Sequence, residues 1–174
     1  MGLWADLGCE QRRTNAAHRM VAAVASTTPG SRIGAVVAPR LDAAASRLSR
    51  GSVTVTAALA GLPTIILVTT GARSGATRHS YLGAIPHRGD IALIGSNFGG
   101  VRTPGWVYNL RANPAVRVVH GQRELPAVAR ELVGEDLEEV WATARGMYAG
   151  YGLYRERASH RTISVWLLQS GDGA

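Results

Sequence analysis

The 22 residues from 51 to 72 carry no charged side chain, and what that stretch can be decides the fold. A membrane-spanning helix needs about 20 predominantly apolar residues. Here Gly61, Pro63 and five threonines interrupt the run, and its end is β-branched. β-branched side chains fit a pleated strand better than a helix. The stretch therefore reads as two strands, 53–57 and 64–70, joined by a Gly-Leu-Pro turn.

The same grammar continues downstream. Strand-like runs are expected at 77–85, 91–96, 115–120, 123–132 and 162–168, with Pro86-His87-Arg88-Gly89-Asp90 and Gly121-Gln122 as hairpin turns. Pro126 lacks an N–H and pushes its strand toward an edge or a bulge. Two helices interrupt. Thr103-Pro104 supplies an N-cap and a first-turn proline for a helix running to Ala112, ended by Asn113-Pro114. Gly134-Glu135-Asp136 opens a second, with its acids at the favourable N-terminal end, running to about Tyr148. Ahead of all this, residues 10–28 and 39–48 read as basic amphipathic helices. They form a helical layer over the sheet, or a membrane-surface or lid segment. The fold expected is mainly β (α+β): an antiparallel barrel of six or seven strands with helical excursions, residues 51–174, behind an N-terminal helical preface, residues 1–50.

Where residues 65–68 end, Thr69-Thr70-Gly71-Ala72-Arg73-Ser74-Gly75-Ala76-Thr77-Arg78 follows. Glycines let the backbone approach a ligand closely. Successive N–H groups in such a turn form an anion-binding concavity, and Arg73 and Arg78 add donors. The turn is not a Walker loop, which needs a Gly-Lys-Ser/Thr ending that opens a helix. Charge points the same way: 19 basic against 12 acidic residues, formally +7, suits an acidic partner. All of the basic residues counted are arginines. With one Phe and four Trp the chain is poor in platforms for stacking bases, which disfavours nucleic acid. Single Cys9 excludes an internal disulfide and a multi-cysteine metal site, and makes the cytoplasm the default compartment. No secretory signal pattern stands at the start. The histidines are scattered and advertise no metal spacing.

Three further groups carry chemistry. Ser96-Asn97-Phe98-Gly99-Gly100 leaves a strand as a loop suited to a planar ligand or merely to positive φ. In the short helix, Trp106 and Leu110 share a face, with Asn109 beside Trp106. Tyr148, Tyr151 and Tyr154 are spaced by three, as pocket-lining phenols or as packing rings.

In order, these motifs resemble the deazaflavin-dependent nitroreductase family over residues 62–168. The turn at Thr69 to Arg78, the Ser96 to Gly100 loop, Pro104-x-Trp106-x-x-Asn109-Leu110-Arg111-Ala112-Asn113-Pro114, and the three tyrosines followed by Arg-x-Ile and an apolar strand carry the likeness. The resemblance implies a split β-barrel enzyme using coenzyme F420, whose phosphodiester and oligoglutamate tail are acidic. It implies that Arg73, Ser74, Gly75 and Arg78 hold the phosphate end. Ser96, Asn97 and Gly99 would run along the ring system, and Trp106 and Asn109 would support the coenzyme at the barrel wall. Tyr148 joins the coenzyme-binding set and, with Tyr151 and Tyr154, lines the substrate side. Tyr151, Tyr154 and Ser96 are the candidate catalytic residues, with Tyr151 leading as proton donor. The reaction implied is hydride transfer from reduced deazaflavin to a small electron-poor acceptor: a quinone, a nitroaromatic or an activated alkene. The alternative is a non-catalytic carrier of deazaflavin or of flavin mononucleotide (FMN). Exposed strand edges suit a homodimer, and residues 1–50 offer peripheral membrane contact on the inner face. Three departures bear on the substrate. Ala72 replaces a common arginine or lysine, which takes away one phosphate donor, Phe98 lengthens the Ser96 loop, and Gly83 stands where bulkier residues can border the pocket.

Overall fold

The computed structural model describes residues 2–9 and 62–171. The expected helices at 10–28 and 39–48 and the strand at 53–57 lie outside the described residues. Within them, helix α1 (Leu3–Asp6) precedes seven strands: β1 (Thr64–Thr70), β2 (Thr77–Gly83), β3 (Ile85–His87), β4 (Asp90–Ile94), β5 (Ala115–His120), β6 (Arg123–Glu131) and β7 (Val165–Ser170). A 3₁₀ turn (Asn97–Gly99) and helix α2 (Gly105–Ala112) lie between β4 and β5. Helices α3 (Gly134–Met147) and α4 (Gly150–Arg157) lie between β6 and β7.

The strands form one sheet in the order β2-β1-β5-β6-β7-β4-β3, with every neighbouring pair antiparallel. The outermost strands, β2 and β3, are consecutive in the chain and separated by Ala84 alone, so the sheet curls until its two ends meet. This is the split-barrel, mixed α+β fold expected.

Period-two alternation sorts the central strands between two cores. Ile91 and Leu93 of β4 and Trp166 and Leu168 of β7 join Leu3, Leu7, Ile65, Leu67, Val107 and Leu110 in one cluster. Their neighbours Ala92, Ile94, Val165 and Leu167 face the other way, onto Trp141 and the three tyrosines of α3 and α4. β4 and β7 are thus covered on both faces, which is why they read as continuous apolar runs. β5 keeps one face exposed and alternates, Val116 and Val118 in, Ala115 and Arg117 out.

Several boundaries differ from the sequence reading. Pro86 and His87 are strand, and the hairpin turn is only Arg88-Gly89, with φ of +51° and +89°. Positive φ at both positions marks a I′-type turn, whose twist suits a two-residue hairpin. Arginine is an unfavourable first residue there. Its guanidinium is held by Asp136 at 2.9 Å and Glu139 at 3.0 Å, both on α3. The same two carboxylates flank the buried ring of His87 at 3.8 and 3.9 Å. That makes a histidine–carboxylate group not visible in the sequence, with Arg88 as its counter-cation. Pro126 lies within a strand flanked on both sides in the sheet order. It pairs with Arg117 of β5, while pairing with β7 starts one residue later, at Ala127. Its missing N–H therefore falls where the second ladder has not begun. α2 starts at Gly105, one residue late, because Pro104 keeps an extended ψ of 144° and sits as the N-cap. The closing strand begins at Val165, since 162–164 is irregular. α4 was not expected as a separate helix.

Candidate coenzyme groove

β1 delivers its last residues to the turn that the sequence marks out. The turn is closed by its own backbone: Gly75 N–H donates to Gly71 O at 2.8 Å, and Gly71 N–H donates to Ala76 O at 2.9 Å. Gly75 has a φ of +64°, a conformation that favours glycine. At Gly71 a Cβ would meet Ser74 Oγ at 2.9 Å and Ala76 O at 3.1 Å, so a side chain there would push Ser74 and crowd the closure of the turn. Ser74 Oγ accepts from Ala76 N–H at 3.3 Å and from Arg78 Nη2 at 3.5 Å. Arg73 and Arg78 are exposed, and among the described residues neither pairs with a carboxylate.

A second element fixes the turn in space. Asn109 of α2 accepts from Ala72 N–H through Oδ1 at 3.0 Å, and its Nδ2 donates to Thr69 Oγ1 at 3.0 Å. One amide thus binds the end of β1 and the body of the turn to the helix. Behind it, Trp106, Val107 and Leu110 anchor α2 in the first core.

Between turn and helix opens a groove of about 1350 Å³. Gly71, Ala72, Arg73, Ser74, Arg78, Trp106 and Asn109 line it, so the arginine turn and the Trp106–Asn109 helix face one space. Arg102, Thr103, Tyr108, Arg111 and Arg161 line it as well, and the sequence points to none of them as a coenzyme contact. Arg111 is neutralised by Glu131 at 2.9 Å, and that carboxylate holds its guanidinium pKa up. Arg102 has no carboxylate partner among the described residues.

Ser96, Asn97 and Gly99 do not themselves line this groove; they form the segment leading to it. Asn97, Phe98 and Gly99 take φ of +48°, +56° and +77° in succession. Ser96 is buried, and Asn97 Nδ2 donates to Arg102 O at 3.0 Å. Arg161, itself a groove-lining residue, grips the segment. Its Nε donates to Gly100 O at 3.1 Å, its Nη groups to Gly95 O at 3.3 Å, and Nη2 to Ser96 O at 2.7 Å. Burial lowers its pKa from the ordinary arginine value. The Arg-x-Ile pattern was the only sequence signal for this residue.

The tyrosines form a separate layer beneath the loop. All three are buried. Tyr148 and Tyr154 hydroxyls hydrogen-bond at 3.1 Å, and Phe98 packs edge-on to Tyr154 with ring centroids 5.8 Å apart. A Cβ on Gly99 would meet Arg157 Cβ at 2.8 Å, so that glycine lets the loop lie directly on α4. The Tyr151 hydroxyl makes no hydrogen bond among the described residues. It stands 3.2 Å from where a Cβ on Gly83 would be, so the absent side chain leaves it room. Desolvation, reinforced by Tyr148, pushes the Tyr151 phenol above its ordinary pKa. Burial and the Tyr148 hydrogen bond do the same for Tyr154.

Residues 39–170 match the family model described as F420H(2)-dependent quinone reductase. The chain belongs to that family. It is therefore an oxidoreductase, and its redox coenzyme is F420. The chain is 34% identical over 110 residues to the F420H(2)-dependent quinone reductase of Mycobacterium tuberculosis (strain ATCC 25618 / H37Rv), covering 61% of this chain and 72% of that protein. Among solved structures, an F420-H2 dependent reductase (FDR-A) superposes with a TM-score of 0.56 at 36% identity, covering 61% of this chain and 93% of that one. A structure described as a domain-swapped dimer gives 0.57 at 33% identity, covering 72% and 93%. The motifs resemble nitroreductases, whereas the family shown is that of the quinone reductases. Both uses of the resemblance share a reductase driven by reduced F420.

The donor chemistry of the groove fits such a coenzyme. Arg73, Arg78 and Arg102 offer positive charge that no described carboxylate neutralises, and Trp106 gives an aromatic wall beside it. No helix among the described residues is long and apolar enough to cross a membrane.

Proposed function

We propose that this chain reduces a quinone with reduced F420 held in the groove between the arginine turn and α2. The observation that carries the reading is the common groove of Arg73, Ser74, Arg78, Trp106 and Asn109. The coenzyme, when bound, supplies a hydride from C5 of its reduced ring. The protein's part is binding, orientation and the accompanying proton. Arg73 and Arg78 give charge-assisted bonds to the phosphodiester, with Ser74 and Gly75 shaping the turn. Trp106 and Asn109 support the coenzyme from the helix side, and Ser96, Asn97 and Gly99, which do not line the groove, act through the segment that carries Arg102 and Thr103 to its edge. The acceptor is then met by the layer of Tyr148, Tyr151 and Tyr154, which lies buried beneath the loop and does not line the groove. Tyr151 is the proton donor: its hydroxyl has no competing partner among the described residues, and a phenol carries its proton at neutral pH. A quinone accepting a hydride and one proton leaves as the hydroquinone. Quinone is favoured over nitroaromatic or alkene because the relatives carry that activity in their names.

Anaerobic mixing of the protein with reduced F420 and a soluble quinone tests this. Coenzyme oxidation faster than in a protein-free control is expected, with slower oxidation by a nitroaromatic. Saturable coenzyme binding without oxidation of any acceptor would instead mean a carrier. Tighter binding of FMN than of F420 would overturn the coenzyme assignment in the groove. The same protein sedimented at increasing concentration reports whether it dimerises, and co-sedimentation with anionic vesicles reports membrane contact through residues 1–50.

A further inference from the structure

We propose that Arg161 is a positioning residue for the coenzyme: its guanidinium fixes the segment that leads into the Val101–Thr103 part of the groove lining. The inference rests on the groove being the F420 site. Arg161 stands in the turn after α4, before β7, remote in sequence from the groove's other residues. A guanidinium has five N–H donors in a rigid plane. Four are used on three carbonyls, those of Gly95 and Ser96 where the chain leaves β4 and that of Gly100 where the 3₁₀ turn ends. The clamp therefore holds both ends of one short segment. Between those ends, three successive residues have positive φ. Such a conformation persists only when its surroundings impose it.

The restraint passes on to the groove. Asn97 Nδ2 donates to Arg102 O, and Val101, Arg102 and Thr103 then line the groove before α2 begins. Arg161 lines it too, half-buried, with no carboxylate partner among the described residues. Its charge therefore stands on the coenzyme's side while its donors are spent on the loop. Lysine keeps the charge but cannot bridge three carbonyls with a planar fork.

The test titrates F420 into the wild-type chain, Arg161→Lys and Arg161→Ala, following tryptophan fluorescence, with urea unfolding in parallel. Arg161→Ala is expected to weaken coenzyme binding on the order of 30-fold, and Arg161→Lys to fall between it and wild type. In turnover the coenzyme KM rises while the acceptor KM holds. Millimolar guanidinium should restore affinity to Arg161→Ala saturably and do nothing for Arg73→Ala. Affinity within twofold of wild type, or a loss matched by the unfolded fraction alone, overturns the inference. Should Arg161→Ala fail to fold, hydrogen exchange on the wild-type chain decides. Coenzyme binding should slow exchange across 96–103 as well as 71–76, and slowing confined to 71–76 overturns the inference. If the wild-type chain binds no F420, it is the groove assignment that fails.

Discussion

Asn109 holds the arginine turn by its backbone: Oδ1 takes the Ala72 N–H at 3.0 Å while Nδ2 reaches Thr69 Oγ1 at the same distance. Both ends of one amide are thereby committed to the protein. The residue thereby fixes where the backbone of the turn carrying Arg73 and Ser74 stands.

Replacing Asn109 with alanine should cost about 1–2 kcal/mol, because two bonds at a half-buried position are lost. Asn109→Asp keeps the acceptor for Ala72 N–H but loses the donor to Thr69, and should fall between. Urea unfolding measures the stability. Coenzyme titration should show affinity falling in the same order, since the turn is then free to move.

Tyr151 and Tyr154 titrate late. A phenol whose folded pKa exceeds its unfolded value of about 10 stabilises the fold fully below that pH and loses the contribution as pH rises above it. Both residues have that direction of shift, chiefly through burial. Stability should therefore hold level through pH 9 and fall from about pH 10 upward, more steeply than in the Tyr151→Phe, Tyr154→Phe double variant. Tyr154→Phe also removes the bond to Tyr148, at about 1 kcal/mol. Tyr151→Phe breaks no described bond and should leave neutral-pH stability nearly unchanged while turnover drops. Full turnover in that variant would remove Tyr151 as proton donor.

Cys9 is buried beside Leu3 and Leu7 in the first core, and desolvation pushes its thiol up to about 11. Reactivity follows the thiolate. Ellman's reagent at pH 8 should therefore leave the native protein unmodified over minutes and titrate one thiol in denaturant.

Gly83→Ala would place a methyl 3.2 Å from the Tyr151 hydroxyl. The phenol must shift by a few tenths of an ångström. Acceptor KM should change severalfold while F420 affinity stays within twofold, which steady-state kinetics with each substrate varied would separate.

Much of this was legible residue by residue. β1 and β5 fall where the β-branched runs place them, because glycine, proline and asparagine mark their ends. The arginine turn was visible because its glycines have no role in a strand. Pro86 hid strand β3, since its pairing with Ile91 lies on a three-residue hairpin arm. α4 was hidden by Gly150 and Gly152, poor helix formers that tertiary packing of Tyr151 and Tyr154 overrides. Arg161 could not be assigned because its carbonyl partners lie 61 to 66 residues away. Nothing local signals such a contact. The His87–Asp136–Glu139 group was equally invisible, since α3 reaches β3 only through the tertiary fold.

The central claim is that two guanidinium groups at the β1–β2 turn grip the acidic tether of F420. Titration of F420 into Arg73→Ala, Arg78→Ala and the double variant tests it most directly. About tenfold weaker binding is expected for each single change and about a hundredfold for the double, on the rule that 1.4 kcal/mol is tenfold. Wild-type affinity should fall as salt rises. Maximal turnover at saturating coenzyme should change little, because binding lost equally from ground and transition states raises KM alone. A double variant that binds F420 as tightly as wild type would contradict the account.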